Sequence, residues 1–318
     1  TDEALVACRA IDEARSTGVP LLVQVDGATV DPGDGPIALH AWGSIARSLT
    51  AASGVVPTVV VVNGPVVTGL SLVLGLFDVV VMCEGALAFV SGPAAVSTTT
   101  GRVIDAEMLG GQQLHANGSG VAHLVASYLA HALAVVADVL AHLPPNNAEP
   151  PPLHALHDPP DRSCDTIATI VPDDARVGYD VRHVIAAIVD DGDLLEIGSS
   201  FGRAMVCGLA RLGGLPVGVV ANQPSHLAGA IDIESSQKAA RFVQWCDAFG
   251  VPLLTLVDTP GYLPGRDLEW DGMIRHGGQL AFAYAAASVP RMCVIMRKAY
   301  GGAFIVMDCK TMGNDLCV

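Results

Sequence analysis

The chain has 318 residues, 51% of them apolar, which is enough to bury two cores and too many for a disordered protein. Only 17 Lys and Arg stand against 32 acids, giving a net charge of −15. No long basic stripe fits within that balance, which argues against nucleic acid as a partner, and an anionic ligand would need a local basic patch.

Residues 2–16 follow a helical period and end at Gly18, with Asp, Glu and Arg mixed through them, unlike a secretory leader. Leu21–Val25 reads as a buried strand. The loop 26–36 holds three Gly and two Pro, and helix resumes from Ile37 to Ala52. A strand at Val59–Val62, a turn at Gly64–Gly69 and a strand at Val79–Met82 follow. The stretch Val59–Cys83 is the most membrane-like, but Asn63, Gly64, Pro65, Gly69, Gly75 and Asp78 interrupt it. Strand, turn, short helix and strand within a soluble, cytoplasmic protein are expected there. Residues 123–143 predict one long Ala/Leu/Val helix. The proline-rich run from Pro144 to Pro152 suits neither helix nor central strand and predicts a linker over 144–162, between domains at 1–143 and 163–318.

The second half predicts a helix at Tyr179–Val189 and a hairpin of Cys207–Leu212 with Val217–Ala221. Asp232 and Ser235 offer N-caps to a helix carrying Lys238, Arg241, Phe242 and Trp245. Strand Leu253–Val257, loop Asp258–Gly265, helix Met273–Ala287 and strand Met292–Met296 complete it. Strands alternating with helices in both halves argue an α/β fold. The eight cysteines include no C-x-x-C pair and lie mostly in apolar runs, so buried reduced thiols are expected rather than a zinc site or disulfides.

The halves repeat one another. Gly18–Leu22 returns as Gly250–Leu254, 232 residues on. Each copy passes through an Asp (Asp26, Asp258) to an apolar run opened by Pro57 or Pro290. Twelve residues beyond each proline stands a glycine, Gly69 or Gly302, expected to open a helix. A strand-to-helix turn of that kind aims free backbone N–H groups at one spot, a geometry that stabilises a developing oxyanion. Two copies suggest two carbonyl oxygens handled in one reaction. A tight turn needing glycine for its backbone conformation explains the same pattern, and both readings stand.

Candidate catalytic positions are therefore Gly302 and Ala303 in the second turn, flanked by Arg297 and Lys298, and Thr68 and Gly69 in the first. Asp258–Gly265 could wall a substrate cleft or be ordinary turn chemistry. Gly261 and Tyr262 within it, with Gly301 and Ile305, are the candidate substrate-binding residues. His276 is a lone helical histidine, a weak candidate acid or base. No serine elbow, phosphate loop, metal spacing or paired acids stand out, so chemistry would rest on backbone donors.

The segments Asn222–Pro224, Asp232–Phe242, Cys246–Phe249, Val257–Gly265, Ile274–Gly277 and Arg297–Ala303 closely resemble the carboxyltransferase β subunit of biotin-dependent acyl-CoA carboxylases. Ala52–Pro57, Phe89–Pro93, Leu109–Gly111, Ser119–His123 and His157–Arg162 extend the likeness over nearly the whole chain. The resemblance implies two crotonase-like (ββα-spiral) domains, a hexamer, and carboxyl transfer from carboxybiotin to the α-carbon of a short-chain acyl-CoA. It implies that Gly302 and Ala303 serve the biotin ureido oxygen, and Thr68 and Gly69 the thioester enolate. With no biotinylation motif or ATP loop here, biotin would arrive on a separate α subunit that also carries the biotin carboxylase. No metal is implied.

The sequence departs from the family in its first half. The family's Ser/Gly/Gly/Ala/Arg loop falls at Gly27–Asp31, where an acid replaces the expected cation. The first glycine of its Ala/Gly/Gly/Ala turn is Thr68, whose Cβ crowds the hole and restricts φ. Ile305 stands where propionyl-selective members carry Asp. The family also runs on past both ends, so terminal segments are expected to be missing. Two alternatives follow: a biotin-independent decarboxylase or acyltransferase of malonyl-type thioesters, or a non-catalytic subunit of a carboxylase ring.

Overall fold

The computed structural model describes residues 2–29, 35–155, 158–159 and 161–318. The chain divides into two compact units, residues 1–149 and 150–318, and the division falls within the proline-rich run.

In the first unit the strands are β1 (Leu21–Val25), β2 (Thr58–Val62), β3 (Pro65–Val67), β4 (Val79–Cys83), β5 (Leu87–Phe89) and β6 (Leu124–Ala126). A four-stranded parallel sheet has the order β1-β2-β4-β6, and β3 pairs with β5. β2 and β4 are almost pure valine and buried at every position, as strands of a parallel sheet covered on both faces must be. Helices Asp2–Thr17 and Gly35–Ala52 supply Ile11, Leu49 and Ala52 to the core, where they join Val60, Val62, Leu74, Phe77, Val80 and Met82.

Two expectations are corrected here. Residues 123–143 are not one helix: β6 precedes a helix at Leu129–Leu140. His123 directs the change, because its backbone N–H donates to Val80 O at 3.0 Å and its Nδ1 accepts from Val80 N at 3.0 Å. That exchange sets Leu124 beside Val81 in the sheet. The turn at Gly64–Gly69 also contains a strand, β3, which meets Ala28 through paired backbone bonds to Pro65 and Val67. Of the divergent loop 27–31, positions 30 and 31 lie outside the described residues, as do 157 and 160 of the 157–162 motif.

In the second unit, β7 (Leu195–Glu196), β8 (Met205–Leu212), β9 (Leu215–Asn222), β10 (Leu253–Thr259), β11 (Arg291–Ala299) and β12 (Leu316–Cys317) form one sheet in the order β12-β11-β10-β9-β8-β7. The expected hairpin is β8–β9, turning at Gly213 and Gly214 with φ of 63° and 77°, the left-handed pair that a two-residue hairpin demands. Helix Ile233–Ala248 begins with a reciprocal cap. Ser235 N donates to Asp232 Oδ1 at 2.8 Å, and Asp232 N donates to Ser235 Oγ at 2.9 Å.

The internal repeat extends to strand register. Leu21 faces Thr58 and Val59 faces Val79 in the first unit; Leu253 faces Arg291 and Met292 faces Leu316 in the second. Thus β1-β2-β4 and β10-β11-β12 are one three-strand arrangement occurring twice. The second unit adds a buried ion pair at the start of β11. Arg291 Nη1 lies 2.6 Å from Asp308 Oδ1, with side-chain exposures of 5% and 0%, and also donates to Tyr284 O at 2.6 Å. All eight cysteines are free, and Cys83, Cys207, Cys246, Cys293 and Cys309 are buried. No helix among the described residues is long and apolar enough to cross a membrane.

Candidate functional site

Both glycine turns follow directly on a strand. In the second unit β11 delivers the chain through Tyr300 to a helix at Gly301–Val306. Gly301 has φ of 60°, and a Cβ placed on Gly301 or Gly302 would meet nothing within 4 Å. The N–H groups of Gly302 and Ala303 belong to the first helical turn, where no intrahelical acceptor is available to them. Ala303 itself is fully buried, which anchors the turn from below.

In the first unit β3 ends at Val67 and a 3₁₀ helix runs from Thr68 to Leu76. Gly69 is exposed with nothing within 4 Å of its would-be Cβ. Thr68 has φ of 67°. Positions 68 and 301, 233 residues apart, therefore share one left-handed conformation, which the second unit fills with glycine and the first with a β-branched residue. The Thr68 hydroxyl donates to Val67 O, and Ser71 Oγ donates to Thr68 O at 2.8 Å, pinning the turn locally. A threonine held there carries strain of about 1–3 kcal/mol. Thr68→Gly should relieve it, less about 0.5–1 kcal/mol from the greater freedom of glycine in the unfolded chain. The net expectation is about 1 kcal/mol of added stability, read as a melting temperature higher by roughly 2–4 °C. An unchanged or lower value would show that the turn is unstrained.

The other candidates gather around Thr259 at the end of β10. Its carbonyl accepts from Tyr300 N at 3.3 Å, and its hydroxyl donates to Gly261 O at 3.2 Å. Gly261, at φ of 140°, and Tyr262 are held against Ile231: Ile231 N donates to Gly261 O at 3.1 Å and Leu263 N to Ile231 O at 2.9 Å. The Tyr262 ring lies against Gly277, where an added Cβ would be 2.8 Å from the hydroxyl, and burial pushes the Tyr262 pKa up. Ile305 is 49% exposed on the same short helix as Gly301 and Gly302. His276 is engaged on both ring nitrogens, by Gln237 and Gln279 at Nδ1 and by Arg275 at Nε2, so its setting is that of a hydrogen-bonded structural histidine.

Asp258, a marker of the repeat and the first residue of the Asp258–Gly265 loop, gathers the cations beside the second turn. Asp258 is 1% exposed. Its Oδ2 accepts from Arg297 Nε at 2.8 Å, while its Oδ1 accepts from Lys298 N at 3.3 Å and lies 3.5 Å from Lys298 Nζ. Arg297 and Lys298 were legible as cations beside the turn, but a partner about forty residues upstream leaves no local pattern. Arg297 also donates to the carbonyls of Pro172, Asp174 and Val177 and stacks 4.7 Å from the centroid of the Tyr179 ring. Burial and the Asp258 charge push the Tyr179 hydroxyl pKa well up. Among the described residues, no group of three or more His, Cys, Asp or Glu could hold a metal.

Residues 2–318 match the carboxyl transferase domain family. A carboxyltransferase subunit of propionyl-CoA carboxylase from Haloferax mediterranei is 41% identical over 97% of this chain and 60% of its own length. The alpha subunit of methylmalonyl-CoA decarboxylase from Veillonella parvula is 38% identical over 95% of this chain and 60% of its own. This chain thus spans about three fifths of the length of these relatives. Among solved structures, transcarboxylase 12S, a hexamer described with hydrolysed methylmalonyl-CoA bound, superposes with a TM-score of 0.97 at 37% identity, over 99% of this chain and 61% of that one. That likeness bears out the crotonase-like fold implied by the sequence resemblance. With a match across 2–318, relatives near 40% identity and a shared fold, this chain belongs to the carboxyl transferase domain family.

Proposed function

We propose that this chain is the carboxyltransferase of a biotin-dependent acyl-CoA carboxylase. The observation that carries the proposal is the paired turn: positions 68 and 301 share a left-handed backbone, and each is followed by an open glycine at the start of a helix. A reaction with two carbonyl oxygens, one on a thioester and one on a ureido ring, needs two such donors sets. Carboxybiotin supplies an activated carboxyl group on a ureido nitrogen; the carboxyl passes to the acyl α-carbon and a proton travels the other way.

The residues of this chain act as binders and positioners. The amides of Gly302 and Ala303 take the ureido oxygen, for which the open space over Gly301 and Gly302 is suited. The amides around Thr68 and Gly69 take the thioester oxygen and stabilise the negative charge that develops there as the α-proton leaves. Gly261, Tyr262 and Ile305 border the substrate, and isoleucine at 305 gives an apolar, uncharged wall suited to short acyl groups. Products would be malonyl-CoA or methylmalonyl-CoA, precursors for fatty acids or polyketides. The first unit serves acyl-CoA and the second carboxybiotin, with biotin brought by a separate cytoplasmic α subunit to a hexamer of this chain. The comparisons do not favour the two alternatives, a biotin-independent decarboxylase or acyltransferase and a structural subunit.

The test is fixation of labelled bicarbonate into acetyl-, propionyl- and longer acyl-CoA by the purified protein with ATP and a biotinylated α subunit. Label in acyl-CoA is expected, with the short thioesters preferred. No label beside an active control β subunit would overturn the proposal.

A further inference from the structure

Arg297, Lys298 and Asp258 make a buried group with two cations and one anion. The side chains are 10%, 8% and 1% exposed, and Asp258 is the carboxylate that both cations face. The next acid near Arg297, Asp174, is exposed and has its own partner in Arg176 at 2.8 Å. Lys298 Nζ points instead to a carbonyl, Ala228 O, at 2.9 Å. An excess positive charge is therefore held out of water three residues before Gly301. Burying an unmatched charge costs stability and is not retained for stability alone.

The repeat provides an internal control. The first unit places the same left-handed residue between a short strand and a helical turn, there a 3₁₀ helix, and among the described residues 62–67 leading into it there is no Lys or Arg. Positions 64 and 65, which correspond to Arg297 and Lys298, are Gly64 and Pro65. Asp26, the counterpart of Asp258, is exposed, and among the described residues its carboxylate accepts from the side-chain amides of Asn63 at 3.0 Å and Gln24 at 2.9 Å. The fold of the turn thus does not need the charge. What surrounds Lys298 is costly as well: Leu227 and Ala228 are both left-handed without being glycine, at φ of 50° and 54°, and Gly229 approaches Asp258 O so closely that a Cβ would sit 2.3 Å away. Strain of that sort persists where the surrounding structure holds it in place, and it collects at functional sites.

We infer that Lys298 is a positioning residue for the second turn: its buried ammonium, in excess over Asp258, provides a fixed positive potential that favours negative charge on an oxygen bound at the amides of Gly302 and Ala303. The inference rests on the carboxyltransferase reading. It adds that the two turns are electrostatically unequal, so that the ureido side alone is assisted by charge. A buried charge is screened little by solvent, so its potential reaches the turn that follows it in the chain, and the expected contribution is about 10- to 100-fold in rate.

The decisive variant is Lys298→Met, which keeps the bulk and leaves Asp258 and Arg297 as a neutral pair. Two rates are measured on the purified protein with malonyl-CoA: carboxyl transfer to free biotin, and loss of carbon dioxide to give acetyl-CoA when no biotin is present. Their ratio does not depend on how much of the protein is folded. The melting temperature is expected to stay level or rise, while the ratio of transfer to biotin-free decarboxylation falls about 10- to 100-fold. Lys298→Arg, which keeps the charge, should restore most of the ratio. An unchanged ratio in Lys298→Met would overturn the inference while leaving the carboxyltransferase reading intact. A parent protein with no transfer to biotin would overturn both.

Discussion

Gly302→Val is expected to lower carboxyl transfer by about 100- to 1000-fold, the range for loss of an oxyanion donor, while the melting temperature stays within about 2 °C of the parent. The two halves of that expectation have separate physical origins. Gly302 is not left-handed, and a Cβ there meets no heavy atom within 4 Å, so a larger side chain enters empty space and strains nothing. On the proposed reading that empty space is the approach to the amides of Gly302 and Ala303, and an isopropyl group in it would hold a ureido oxygen away from both. A steady-state assay beside a thermal melt reads both effects. Full activity at an unchanged melting temperature would mean that the second turn is ordinary chain reversal. A large fall in melting temperature would mean that the space is needed by the fold.

The largest stability effect is expected from Arg291→Met. The guanidinium is buried at the start of β11 and reaches Asp308 Oδ1, Tyr284 O and Met312 O, so it joins the strand, a helix and the C-terminal segment. Removing it strands a carboxylate that is 0% exposed, a change of about 3–5 kcal/mol. At roughly 2–4 °C per kcal/mol the melting temperature should fall by about 10 °C or more. The loss should vary with pH in a definite direction. Burial pushes the Asp308 pKa up, to about 6, with the Arg291 charge opposing. Without Arg291 that opposition disappears and the folded value rises further. A carboxyl raised in the folded state takes up its proton on folding, so its penalty is absent below its ordinary range near 3.8 and grows as pH rises through 6. The deficit of Arg291→Met should therefore be smallest near pH 4.5 and largest above pH 7. The double variant Arg291→Met, Asp308→Asn should recover a good part of it at neutral pH, since asparagine accepts the left-handed conformation that Asp308 holds at φ of 57°. A deficit that does not change with pH would show that the lost packing, not the stranded charge, is responsible.

Much of the architecture is legible in the sequence because it rests on local chemistry. The valine runs of β2 and β4, the Gly213–Gly214 hairpin and the Asp232 cap each carry their signal within a few residues. The repeat at 232 residues paired two sets of strands, and their registers agree with it. What was missed depends on partners far along the chain. The Ala/Leu/Val composition of 123–143 is compatible with helix or buried strand, and only the contact of His123 with Val80, forty-three residues away, decides for β6. Thr68 was recognisable as a misfit residue, but its left-handed backbone was not; that emerges from the conformation it shares with Gly301. Arg297 and Lys298 stood out as cations, whereas the carboxylate that gathers them lies on the neighbouring strand β10. Sequence separation, rather than weak chemistry, hid the charge cluster.

The buried thiols make the protein its own opening gauge. Burial pushes Cys207 to about 12 and raises Cys83, Cys246 and Cys293 as well, so these four present almost no thiolate to a reagent while the chain around them is folded. Modification must then wait for a segment to open, and its rate reports how often that happens. Cys83 lies in the first unit and Cys207, Cys246 and Cys293 in the second. A timed pulse of an alkylating reagent, followed by peptide mass mapping, would therefore time the two halves separately without adding a single probe. It would show directly whether the half that carries Thr68 breathes faster than the half that carries Gly301.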